Sequence, residues 1–204
     1  MGYTHYWYAM RRELPADRFA EIAEDFKRLV PVLRKHGVPL ADGSGAGRPV
    51  IEPDAVIFNG PRKCGHEENA AVVIPWPTAQ GAGVAGPGED ARGGTWYAGA
   101  LVEKRTCNGD CSYEGFALTR VAAEHTRSRE PGDGYFNFCK TAFRPYDVAV
   151  TACLLVAKHR LGELIRVRTD GEDPQWFDAK MLCQTVLGYG LEYEIGDDGL
   201  RRKR

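Results

Sequence analysis

The sequence predicts an α+β or α/β fold: a single mixed β-sheet packed by about three helices, closing in a β-α-β-α-β unit with parallel strands. Three observations predict it. An aromatic run, "YTHYWYAM", opens the chain at residues 3 to 10 and suits a strand; an amphipathic helical stripe follows; and the last third alternates short apolar runs with helical segments.

After Pro15 the apolar positions Phe19, Ile22, Ala23, Phe26, Leu29, Val30 and Leu33 recur at spacings of three and four, the pattern of one buried helix face. Pro31 is expected to kink or split this helix and Gly37 to end it. "ADGSGAGRP" reads as a Gly-rich turn, "AVIFNG" and "AAVVIPWP" as strands, and residues 78 to 95 as a mobile Gly-rich loop. Two strands, "WYAGALVEKR" and "SYEGFALTR", are expected to form a hairpin through "TCNGDC", which holds the Asn-Gly pair favoured in tight turns. The closing rhythm is strand "YFNFC", a helix from Pro145 to Leu161, strand "LIRVR", a helix from Pro174 to Leu187 and strand "LEYEI". The helix after Pro145 is apolar nearly all round and therefore buried, with Lys158, His159 and Arg160 in its last turn and Gly162 placed to cap it.

At 204 residues the chain has the length of one domain, 1 to 204. Lys plus Arg, 27, nearly balance Asp plus Glu, 28, so no global field draws it to nucleic acid or to an anionic membrane. The final "RRKR", 201 to 204, reads as a solubilising basic tail. No apolar run approaches the ~20 residues that span a bilayer, and "MGYTHYWYAMRREL" lacks a secretory leader pattern, so a cytoplasmic location is expected. In that setting the six cysteines read as thiols or metal ligands before disulfides.

Two constellations carry chemistry. If "YFNFC" and "LIRVR" are parallel neighbours, the loops leaving them open on one edge of the sheet, the edge where ligands bind in open α/β sheets. Lys140, Thr141 and Arg144 then face Thr169 and Asp170, and the helix N-terminus between them suits a phosphate or carboxylate. Asp147 in the first turn answers part of the helix dipole, and pairing of Lys140 and Arg144 with Asp147 and Asp170 is the structural alternative. His5 and Asp170 are the candidate acid/base groups, and Asn59 at the end of "IFNG" a candidate ligand contact. Trp76, Trp96 and Trp176 read as aromatic core, because no basic stripe accompanies them.

The second constellation is Cys64, His66, Cys107 and Cys111, which would close a tetrahedral zinc site if "KCGHEENA" and "TCNGDCSYE" met; free thiols in loops are the alternative. "HEE" also gives the His-x-Glu half of a zinc-deaminase signature, with Glu68 as proton shuttle, but Cys107 and Cys111 lie too far apart and lack the preceding Pro.

"MGYTHYW", "FNG", "CGHEE", "GDCSYE", "FCKTAFRPYD" and "RTDG" together resemble an uncharacterised family of small proteins encoded by phages, bacteria and archaea; "MGYTHYW" with "CKTxxxPYD" is the most specific part. The resemblance brings no catalytic residues with it. It implies a phage-associated or prokaryotic cytosolic setting, in which nucleotide metabolism, counter-defence and host takeover are all compatible roles.

The functional expectation is a cleft for a small anionic, nucleotide-like metabolite, held by Lys140, Thr141 and Arg144, with or without catalysis. The rival is a non-enzymatic interaction or host-takeover protein with a structural zinc; a zinc-dependent deaminase-like hydrolase ranks third.

Overall fold

The computed structural model describes residues 3–72, 95–97, 100–102, 105–107, 109–127 and 134–203. Its architecture is α+β. β1 (Thr4–Ala9) leads into α1 (Ala16–Lys35), followed by β2 (Val50–Glu52), β3 (Ala55–Phe58), β4 (Ala71–Val72), β5 (Thr95–Tyr97), β6 (Ala100–Val102), β7 (Arg105–Thr106) and β8 (Phe116–Thr119). The C-terminal part runs β9 (Tyr135–Lys140), α2 (Asp147–Leu161), β10 (Ile165–Thr169), α3 (Phe177–Leu187), β11 (Tyr193–Gly196) and β12 (Gly199–Arg202). The expected Gly-rich loop, 78 to 95, lies outside the described residues apart from Thr95, as do Trp76 and most of "AAVVIPWP".

The expected single mixed sheet is instead several small sheets, and every described ladder is antiparallel. The parallel pairing of "YFNFC" with "LIRVR" is corrected: β1 lies between them, antiparallel to both, in the order β10-β1-β9. Because both flanking strands run opposite to β1, they point the same way. The connection β9-α2-β10 is thus a crossover split by one strand, and both outgoing loops leave the same end of the sheet. Both are tied to the start of β1: Thr141 N–H donates to Tyr3 O at 2.9 Å, and Asp170 N–H to Thr4 O at 3.0 Å.

The third strand of the expected unit also departs. β11 folds back on β12 as a hairpin, so Arg201 and Arg202 of the basic tail are strand residues. The predicted hairpin through "TCNGDC" does not form. β7 pairs with β4, β8 pairs with β3, and β5 pairs with β6, so the Asn-Gly stretch joins strands of two different sheets. The described residues on either side of it, Cys107 and Cys111, are instead held to Ala70 and Pro61 by backbone hydrogen bonds.

α1 buries Phe19, Ile22, Ala23, Phe26, Leu29 and Leu33 of the predicted stripe, and Val30 is half-buried against the same core. It runs through Pro31 unbroken, with Pro31 on the exposed side. Gly37, at φ 77°, takes the left-handed position just past the end. α2 is buried on nearly every side because it is sandwiched between α1, α3 and β10. It starts at Asp147 and not at Pro145, since the preceding elbow is otherwise committed. α1, β3, β8 and β1 share one core. Phe26 stacks on Phe58 at 5.0 Å, Phe58 meets Phe116 at 4.8 Å, and Phe116 meets Trp7 at 5.0 Å. All four rings are buried, each worth ~1.5–3 kcal/mol relative to exposure. No helix among the described residues is long and apolar enough to cross a membrane.

Candidate metal centre

The ligand atoms of Cys64, His66, Cys107 and Cys111 all lie within 4.8 Å of one another. Cys64 Sγ is 3.4 Å from Cys107 Sγ, and His66 Nδ1 is 3.2 Å from Cys111 Sγ. A tetrahedral zinc with bonds of ~2.0–2.3 Å needs ligand atoms spaced by roughly 3.3–3.8 Å, so the quartet is already at the scale of a closed Cys3His site.

Local backbone chemistry assembles it. Gly65, at φ 80°, turns the chain between Cys64 and His66 so that both reach the same point. The second loop is zipped to the first by Cys107 N–H to Ala70 O at 2.9 Å and Cys111 N–H to Pro61 O at 3.2 Å, continuing the β4–β7 pair. Gly60 is indispensable to this approach: a Cβ there would stand 2.0 Å from Cys111 O. Asn59 locks the junction. Its Oδ1 accepts from Gly60 N–H at 2.8 Å and Tyr113 N–H at 3.2 Å, and its Nδ2 donates to Tyr113 O at 3.1 Å and Gly43 O at 3.3 Å. With both donors and its acceptor so engaged, the Asn59 amide is a staple between loops, and nothing of it is left over for a ligand.

Burial pushes the Cys107 thiol up, and burial together with the neighbouring Cys107 and Cys64 thiols pushes Cys111 up. Cys64 shifts the other way: burial opposes its ionisation, but hydrogen bonds from the His66 backbone and from Cys107 and Cys111 outweigh it and pull the thiol down. Cys107 and Cys111 resist becoming thiolates beside it unless a positive charge joins them, and a dication supplies it. The remaining cysteines are elsewhere. Cys139, Cys153 and Cys183 are buried in the core, and burial pushes the Cys139 thiol up to about 12, which suits packing and not nucleophilic attack.

Behind the quartet lies a buried polar network. Arg105, in β7 two residues before Cys107, donates from Nε to Asp147 Oδ2 at 3.0 Å, from Nη1 to Asp178 Oδ2 at 2.6 Å and from Nη2 to Gln175 O at 3.0 Å. Asp147 Oδ1 accepts from Thr141 Oγ1–H at 2.7 Å and contacts His5 Nε2 at 2.7 Å. Burial alone would raise the Asp147 carboxyl, but the Arg105 guanidinium and His5 hold it below its ordinary value. A carboxylate only accepts, so Nε2 of His5 carries the proton. His5 Nδ1 meets Thr169 Oγ1 at 3.1 Å, and Gly171 N–H donates to the same oxygen at 3.0 Å.

The two elbows lie at the same end of the sheet, and His5, Thr141 and Thr169 come together there. What they converge on is Asp147. His5, Thr141 and Asp147 are fully buried, His5 and Thr141 both bond to Asp147 Oδ1, and the carboxylate of Asp147 sits at the helix N-terminus where an external anion was expected. The alternative pairing also resolves differently: Asp147 takes Arg105, and Asp170 accepts from Tyr6 Oη–H at 3.0 Å. Lys140 Nζ lies 6.0 Å from the Tyr113 ring centroid, and neither Lys140 nor Arg144 pairs with a carboxylate among the described residues.

The elbow itself is strained. Ala142 and Phe143 are consecutive non-glycine residues at φ 50° and 57°, each costing ~1 kcal/mol or more. The conformation is held by Phe143, whose ring meets Tyr3 edge-on at 4.8 Å and lies 5.0 Å under the Arg105 guanidinium. The specific "CKTAFRPYD" stretch thus builds the elbow that presents Thr141 to Asp147. Arg105 escaped the sequence reading altogether, because nothing local marks a strand arginine as the partner of an aspartate 42 residues away.

Comparison with models of protein families, with curated proteins and with solved structures finds no match for the chain.

Proposed function

We propose that this protein is a non-catalytic binding module organised by one structural zinc ion held by Cys64, His66, Cys107 and Cys111. The convergence of the four ligand atoms carries the reading. Four protein ligands complete a tetrahedron and leave no open position for a reacting water, which is the signature of a structural and not a catalytic site. The deaminase alternative is correspondingly weakened: it requires a coordinated water beside the glutamate, and Glu68 is exposed. The ion's part is to fasten residues 60–72 to residues 105–113, and through β7 to seat Arg105 on Asp147.

The test is metal analysis of protein purified without added zinc. One zinc per chain, lost in Cys64→Ser and Cys107→Ser, is the expected result. Should those variants fail to fold, cobalt substitution of the unaltered chain reads the site directly, through the intense visible and near-ultraviolet bands of a tetrahedral thiolate centre. Absence of metal with no cobalt spectrum, or full retention in both folded variants, overturns the proposal.

A second reading, a small anionic ligand of nucleotide type at the elbow, is favoured by one observation: Lys140 and Arg144 stand there without carboxylate partners among the described residues. A ligand-induced rise in melting temperature that disappears in Arg144→Ala supports it. A rise unchanged in that variant removes Arg144 from the site.

A further inference from the structure

The sheet β10-β1-β9 has two faces of opposite character. Its inner face supplies Trp7, Ala9, Cys139, Ile165 and Val167 to the core. Its outer face follows from register. Phe138 and Arg168 flank Tyr6 in one cross-strand row, and Phe136 and Arg166 flank Tyr8 in the next. The outward side of an antiparallel sheet is ordinarily polar. Here it carries four aromatic rings, and Phe138 is 52% exposed.

The rings form one connected surface. Phe136 lies 5.1 Å from Tyr8, 6.2 Å from Tyr6 and 5.9 Å from Phe138, and its plane is inclined by only 19° to Tyr6 and 23° to Phe138. Cations border it on one side strand and at one end. Arg166 lies 4.5 Å over the Tyr8 ring, Arg168 is exposed and pairs with no carboxylate among the described residues, and Lys140 occupies the next row of β9. Acids stand at both ends of the face: Asp170 accepts from Tyr6 and Glu114 from the Lys140 backbone N–H, while Glu163 and Asp198 line a cavity together with Arg166.

We infer that this face binds single-stranded nucleic acid, with bases stacked on Tyr6, Tyr8, Phe136 and Phe138 and phosphates met by Arg168 and Lys140. The charge complementarity decides the occupant. A protein partner, or a second copy of this chain, gains from covering apolar rings but has no general need of an exposed arginine in the Tyr6–Phe138 row. A single strand needs both: π-faces for bases and cations for the backbone. Aromatic side chains on adjacent strands of a small antiparallel sheet are one established physical solution to that problem. The inference rests on the sheet and its register, independently of the metal centre.

The experiment is fluorescence anisotropy of labelled 12-mer oligouridylate and oligo-dT against the protein as purified, its metal content recorded, with a 12-base-pair duplex as control. The expected result is binding of one or both single strands, weakening steeply with salt, and duplex binding at least tenfold weaker. Phe138→Ala and Tyr6→Ala each lower affinity about tenfold, while Phe138→Tyr, which keeps a ring, restores most of it. Arg168→Ala lowers the salt slope by about one. These side chains are at least partly exposed, so the variants are expected to melt within a few degrees of the parent chain. The inference is overturned by absence of binding at 50 mM salt, by affinity unchanged in both ring variants, or by equal affinity for duplex. It is equally overturned if sedimentation shows a self-association that Phe138→Ala abolishes while no oligonucleotide binds.

Discussion

Replacing Arg105 by Met should destabilise the protein more than any other single polar-to-apolar change in the described residues, and the structure allows the size to be worked out. Arg105 is fully buried and supplies three charge-assisted contacts, to both Asp147 and Asp178 and to the Gln175 carbonyl. Met fills a similar volume but supplies no donor. Asp147 is left with His5 and Thr141, and Asp178 loses its contact at 2.6 Å. Removing one partner of a buried ion pair costs ~3–5 kcal/mol, because the remaining charge is uncompensated. In a chain of this length that corresponds to a fall in melting temperature of roughly 6–20 °C.

The loss carries a pH signature. The native Asp147 carboxyl lies below its ordinary value, so its contribution is complete above the unfolded-state value of about 3.9 and is lost as pH falls through the lower folded value. Without Arg105 the carboxyl moves upward, and mild acid protonates it. The deficit of Arg105→Met is therefore greatest near pH 7 and narrows as pH falls toward ~4. Urea unfolding at several pH values measures both quantities. Adding Asp147→Asn to Arg105→Met should recover part of the loss, since the stranded charge goes with it. A deficit below ~1 kcal/mol, or one independent of pH, would refute the assignment of Arg105 as the counter-charge.

Gly60→Ala sets a methyl group 2.0 Å from the Cys111 carbonyl oxygen, and is expected to pull the second loop off the first; bound metal measured after gel filtration should fall well below one per chain. Tyr146→Phe removes the hydroxyl that donates to Glu114 O at 2.7 Å in a buried setting, and calorimetry should show a loss of ~1–3 kcal/mol with metal content unchanged.

The parts of this fold that could be read beforehand are those specified within a few residues. The stripe of α1, the all-round burial of α2 with Gly162 at its end, and the strand at Thr4–Ala9 each follow from local periodicity. The metal quartet was legible by residue type alone, Cys64 with His66 and Cys107 with Cys111, although neither spacing is diagnostic. Partnerships across the chain were not. Nothing near "YFNFC" announces that β1 will slip between it and "LIRVR", nor that Phe116–Thr119 will choose Ala55–Phe58 over its chain neighbour. At the elbow one residue was legible only in part. Asp147 was recognised as opposing the dipole, but its capture by His5, Thr141 and Arg105 depends on three elements distant in sequence. The basic aromatic face was hidden for another reason: overall charge is balanced, and only the register reveals that Tyr6, Tyr8, Phe136, Phe138, Arg166 and Arg168 share one side of a sheet.

X-ray absorption at the zinc edge of the purified chain addresses the metal centre most directly. Three sulfur scatterers at about 2.3 Å and one nitrogen at about 2.0–2.1 Å are predicted. A shell made only of oxygen and nitrogen, or one in which Cys107→Ser leaves the sulfur count unchanged, would contradict it.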